Sequence, residues 1–189
     1  MTRYLQFSGV VLMALAIASP ARGQERAYKV LATSKTSTMQ KEMQEAGDAG
    51  YHFVAVMGGE TAIGGKEVVV LMEKSTDTPG PYSYRLLATS KTSTLQKELQ
   101  EAADAGYRVV GQTVFESLFG GKETAALLEK GGESVERFEY KLLATSKTST
   151  MEKELRELAE GGYQAIGLTV GKTALGGNEL VVISRRKAK

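Results

Sequence analysis

The same stretch of chain is written three times at a fixed spacing of 56 residues, starting at Tyr28, Tyr84 and Tyr140. A period of that length means one supersecondary unit used repeatedly, each copy needing its neighbours to bury its apolar surface. Each copy opens with LATSKTST, at 31–38, 87–94 and 143–150, while apolar positions elsewhere drift among Val, Leu, Ile, Met and Phe.

Within a copy, residues 28–34 alternate and run into a polar turn, which suits a first strand. Ser37 with Gln40, Ser93 with Gln96 and Ser149 with Glu152 have the spacing of capping boxes, predicting a helix start there. The helix runs to about Ala49, with Met39, Met43 and Ala46 on one stripe, matched by Leu95, Leu99 and Ala102 and then by Met151, Leu155 and Leu158. Such a stripe is a core face. Gly50, Gly106 and Gly162 stand where a left-handed cap ends the helix, and Tyr51, Tyr107 and Tyr163 open the next strand. A hairpin follows, with turns expected at Gly64-Gly65, Gly120-Gly121 and Gly176-Gly177. These glycines do not make a nucleotide-binding loop: Gly59 to Lys66 is one residue too long, Glu67 replaces the magnesium-binding hydroxyl, and the third copy has Asn178 for Lys. Residues 68–72 are apolar without alternation, predicting a central third strand covered on both faces.

The fold class expected is α+β: three tandem βαββ repeats. A repeat of about 47 residues is too small to stand alone. The outer repeats read as apolar as the middle one, and solenoid ends are usually altered. The sequence therefore favours closure into one pseudo-threefold domain with helices outside; the alternatives are three loosely strung domains, or two that pair internally while the third seeks another chain. The boundaries are 1–23, a signal peptide; 24–83, the first repeat and linker; 84–139, the second repeat and linker; and 140–189, the third repeat and a basic tail. The opening Tyr-Lys-Val-Leu, the short helix ending in Gly-Tyr and the apolar closing strand of 28–74 resemble a bacterial family of small strand-helix-strand-strand domains of unassigned function. That resemblance covers each repeat and implies a fold without an activity.

Residues 1–23 combine a positively charged start, an apolar run at 7–18 and the small residues Ala21-Arg22-Gly23, the pattern of a secretory signal; cleavage after Ala18 is the alternative. The run is short for about 30 Å of hydrocarbon, so the expectation is a secreted or periplasmic protein with no transmembrane segment after cleavage. Arg3 and Arg22 lie in that segment, so the rest carries 22 basic and 22 acidic side chains. That neutrality argues against a nucleic-acid partner. With no Cys there is no disulfide, no thiolate metal site and no lipidated N-terminus.

Catalytic machinery is hard to assemble from these residues. The single histidine, His52, has Arg108 and Gln164 as counterparts, and the recurring Glu42, Glu45 and Glu67 read as helix-surface and strand-start charges. No metal or cofactor is called for. Tyr28, Tyr84 and Tyr140, with Tyr51, Tyr107 and Tyr163, read as strand packing rather than stacking platforms. The candidate ligand-binding residues are Lys35, Thr36 and Ser37, Lys91, Thr92 and Ser93, and Lys147, Thr148 and Ser149. A helix N-terminus attracts anions, and a Lys placed there has the wrong sign for the dipole unless something negative lies between. The bland reading pairs Lys35 with a carboxylate such as Glu67 and uses Thr and Ser to knit the turn. The functional expectation is a non-enzymatic binding or assembly protein whose partner is an anionic small molecule, an envelope polymer or another protein. The alternatives are a purely structural envelope component and a hydrolase-like enzyme using Lys, Ser, Thr or Glu.

Overall fold

A computed structural model describes residues 26–61, 65–77, 80–116, 121–131, 136–172 and 178–188; the segment 1–23, expected to be a signal peptide, and most of the Gly-Gly turn residues lie outside them. Each repeat is strand, helix, strand, strand: β1 (Arg26–Thr33), α1 (Thr36–Asp48), β2 (His52–Thr61), β3 (Gly65–Ser75); β4 (Tyr82–Thr89), α2 (Thr92–Asp104), β5 (Arg108–Glu116), β6 (Lys122–Gly131); β7 (Phe138–Thr145), α3 (Thr148–Glu160), β8 (Gln164–Lys172), β9 (Asn178–Lys187). The last strand of each repeat is central, giving antiparallel sheets of order β1-β3-β2, β4-β6-β5 and β7-β9-β8. This is the α+β repeat class and the central third strand that the sequence predicts.

The helix ends follow from local chemistry. Gly50, Gly106 and Gly162 have φ of 88°, 86° and 79°. In each repeat the glycine amide and the following tyrosine amide bond back to helix carbonyls, Gly50 to Gly47 at 2.9 Å and Tyr51 to Ala46 at 3.0 Å in the first. That is the double bond of a left-handed helix stop. The helix starts differ from expectation. The N-cap residue is Lys35, Lys91 or Lys147, with no side-chain cap, so the expected capping boxes are absent. Thr33, Thr89 and Thr145 hold the turn instead, each accepting the Lys backbone N–H through its hydroxyl.

The two faces of each sheet have different neighbours. Val68, Val70 and Met72 of β3 meet Met39, Met43 and Ala46 of the repeat's own helix, and the same core takes in Tyr82, Tyr84, Ala125 and Leu127 from the second repeat. A second core repeats the pattern one step on: Leu95, Leu99 and Ala102 of α2 lie with Ala126 and Leu128 beneath them and with Phe138, Tyr140 and Ile183 of the third repeat. Both α1 and α2 therefore serve two sheets.

The repeats stack in series. A closed pseudo-threefold ring, which the even spacing favours, needs a third equivalent joint of α3 on β1. There Tyr28 is 57 % exposed, whereas Tyr84 and Tyr140, its counterparts, are each 2 % exposed. Among the described residues the array has two joints and two open ends, and the reason lies in the residues that make a joint.

Candidate functional site

At each joint a helix lies along the outer edge of the next repeat's first strand and satisfies its backbone with two glutamines. Gln40 donates to the Tyr84 carbonyl at 2.8 Å and accepts from the Leu86 amide at 2.6 Å. Gln44 accepts from the Tyr84 amide at 3.0 Å and donates to the Tyr82 carbonyl at 3.4 Å. The second joint copies this: Gln96 bonds the Tyr140 carbonyl at 2.9 Å and the Leu142 amide at 2.7 Å, and Gln100 bonds the Tyr140 amide at 3.1 Å and the Phe138 carbonyl at 3.5 Å. A glutamine side chain carries a peptide's donor and acceptor. Four helical residues rise about 6 Å and two strand residues about 6.7 Å, so glutamines four apart keep pace with a strand edge and replace a missing partner strand.

Glycine makes the approach possible. A Cβ at Gly47 would stand 2.3 Å from the Tyr82 carbonyl oxygen, at Gly111 2.8 Å from Phe53, and at Gly167 2.4 Å from the Gln112 side chain. Gly111 and Gly167 lie at the bulges of β5 and β8, where the preceding repeat presses in. The first joint also buries a polar node: Glu129, 3 % exposed, accepts from the Tyr84 hydroxyl at 2.7 Å, the Phe53 amide at 3.0 Å and Arg108 at 2.8 Å. Burial, and then the Glu129 charge, push the Tyr84 hydroxyl well above the usual tyrosine range.

The ends of the array change the glutamines, the edge aromatic and the bulge glycine. On α3 the glutamine positions are Glu152 and Arg156, which pair with each other at 3.1 Å, and Leu155 and Leu158 are only half-buried. On the first sheet, the aromatic of Tyr82 and Phe138 becomes Arg26, paired with Glu73 at 3.1 Å, and Gly111 and Gly167 become Ala55. The end repeats are thus altered as in other solenoids, but in side chains that read as ordinary helix surface. What remains on the open side of the first sheet is apolar: Tyr28, with Val30 at 64 % and Met57 at 73 % exposed. Ala55, Met57, Val69 and Leu71 help to line a shallow depression of about 420 Å³ there.

The residues singled out in the sequence lie elsewhere. Lys35, Lys91 and Lys147 are exposed at three separate helix starts, as are Ser37, Ser93 and Ser149. Thr36, Thr92 and Thr148 begin the helices. No hydrogen bond or ion pair joins one block to another among the described residues, and the cations near Glu67 are spoken for: Lys66 pairs with Glu116 of the next repeat at 2.7 Å, with Lys122 4.0 Å from the same carboxylate. Of the first block, Ser34 alone helps to line the polar cleft of about 380 Å³ around that cluster. His52 bonds the Phe53 carbonyl at 3.2 Å and lies near Tyr82. Tyr84 and Tyr140 pack as expected, and Tyr107 and Tyr163 have Arg85 and Arg186 over their rings at 4.6 and 4.7 Å. Among the described residues no group of three His, Asp or Glu could hold a metal ion, and no helix is long and apolar enough to cross a membrane. The joint glutamines escaped the sequence reading; the signal for them was the exchange to Glu152 and Arg156 in the third copy alone.

No family model, curated protein or solved structure matches this chain.

Proposed function

We propose that this chain is a secreted or periplasmic, non-enzymatic binding and assembly protein whose working surface is the open side of its first sheet. One observation carries the reading: Tyr28, Val30 and Met57 are exposed on a face whose equivalents in the second and third sheets are covered by the helix and the second strand of the preceding repeat. A contiguous exposed apolar face on a small protein marks a site of interaction. The compartment rests on the charged start and apolar run of residues 1–23.

The test is a photo-crosslinking side chain placed at 30 or 57 in the cells that make the protein, with position 45 on the solvent side of α1 as control. Protein adducts are expected from 30 and 57 and not from 45; adducts no stronger than the control would overturn the reading. A second reading, binding of anions at the helix starts, is supported by the uncapped first turns and the Lys beside each. It expects phosphate or sulfate to raise the melting temperature, and a Lys35→Ala, Lys91→Ala, Lys147→Ala variant to lose that rise; an unchanged rise in the variant would remove it.

A further inference from the structure

The open face has a template for its occupant inside the same molecule. Twice, a strand edge and the sheet face beside it are covered by an amphipathic helix carrying Leu or Met, then Gln, then Met or Leu, then Gln, then Ala, with an Asp four residues after the second Gln. In both cases that Asp, 48 or 104, orients the second glutamine, at 2.7 and 3.0 Å. Strand β1 offers the same register: its pairing with β3 sets Tyr28 opposite Glu73 and Val30 opposite Leu71, as Tyr84 stands opposite Glu129 and Leu86 opposite Leu127. Among the described residues no helix lies there.

We propose that β1 and the open face of the first sheet receive an amphipathic helix of another protein, one with glutamines four residues apart beside an apolar stripe, as β4 receives α1 and β7 receives α2. This rests on the binding reading above and names the partner's chemistry. Two features point away from a second copy of this chain. Helix α3, the one such a copy would present, has Glu152 where a donor to a strand carbonyl is needed and Arg156 where an acceptor for a strand amide is needed. A second copy would also bring β8, and Leu168 would press on position 55 as Val56 presses on Gly111, whose added Cβ would stand 2.9 Å from the valine methyl. The Ala55 methyl occupies that space. A helix arriving without a following strand does not reach position 55, so Ala55 obstructs a whole repeat and leaves a lone helix free to bind.

The probe is a fluorescent peptide of residues 91–107, locked as a helix by a lactam between Lys97 and Glu101, which already pair across one exposed turn at 3.6 Å. Titrated with the purified protein and followed by anisotropy, it is expected to bind with a Kd of about 1–100 μM. Exchanging its glutamines for the α3 residues, Gln96→Glu with Gln100→Arg, is expected to weaken binding about tenfold or more, as is Tyr28→Lys with Val30→Lys in the protein. Both protein positions are exposed, and an unchanged melting temperature confirms that the variant folds. No binding up to a millimolar, or equal binding of the two peptides, would overturn the proposal. So would a concentration-dependent dimer of the wild-type protein in light scattering that Val30→Lys with Met57→Lys abolishes, which would assign the face to a second copy. Adducts at 30 and 57 without peptide binding would leave the binding reading standing and sink this one.

Discussion

Tyr28 and Tyr84 occupy the same position of the same unit, on strands in the same register, and differ in one respect: among the described residues a helix stands over the second and none over the first. Tyr84 is buried, gives its hydroxyl to Glu129 and lies against α1; Tyr28 faces outward beside Val30. Neither residue type nor secondary structure sets this difference. In a repeat protein the environment of a side chain depends on whether a neighbouring unit covers it, so one sequence pattern yields a core residue in one copy and an exposed one in another.

The sharpest way to break this comparison is to remove both rings. Tyr84→Ala is expected to cost about 3–5 kcal/mol and Tyr28→Ala less than about 0.5 kcal/mol in urea unfolding; similar losses would mean that the first sheet is covered after all. Next comes the glutamine ladder. Gln96→Ala with Gln100→Ala strips partners from the edge of β7 and is expected to cost about 3 kcal/mol, whereas Glu152→Ala with Arg156→Ala removes an exposed pair and is expected to change stability by under about 0.5 kcal/mol. A smaller contrast tests the close approach: Gly111→Ala is expected to cost about 1–3 kcal/mol through overpacking, and Ala55→Gly only about 0.5–1 kcal/mol through backbone freedom.

The smallest effect is on pH. Burial raises the hydroxyl pKa of both Tyr84 and Tyr140 in the fold above the ordinary value of 10.0. Their neutral forms are therefore favoured by folding, and this contribution is intact below pH 10 and lost as the pH rises above it. Urea midpoints between pH 8 and 11 are expected to fall less steeply in Tyr84→Phe than in wild type; parallel curves would contradict the burial of that hydroxyl.

The element order, the glycine helix stops at 50, 106 and 162, the Met and Leu core stripe of α1 and α2 and the central third strand were legible in the sequence, because each is a local pattern written in every copy; the same stripe on α3 leaves Leu155 and Leu158 half-buried. The joints were not. A glutamine every fourth residue reads as solvent face, and Gln40 sits three residues after Ser37, the spacing of a capping box, so local chemistry supplied a plausible use for a residue that is spent on another repeat. The ends of the array escaped for a related reason. Glu152 and Arg156 are conventional surface residues, and they carry meaning only when set against Gln40, Gln44, Gln96 and Gln100. The chemically suggestive Lys-Thr-Ser blocks are identical in all three copies, and identity among copies cannot mark where an array begins or stops.

The middle repeat is the one unit with a receiving edge at β4 and a presenting helix at α2, and both follow the same rule. It is therefore a module in the builder's sense, able to follow the first repeat, precede the third, or stand beside itself. A gene that duplicated residues 84–139 in frame would encode four stacked units with both ends unchanged, whereas duplicating either terminal unit would set Ala55 or Glu152 inside a joint. Growth of such a protein over generations is thus confined to its centre, and the surface offered at its first sheet is inherited intact whatever its length.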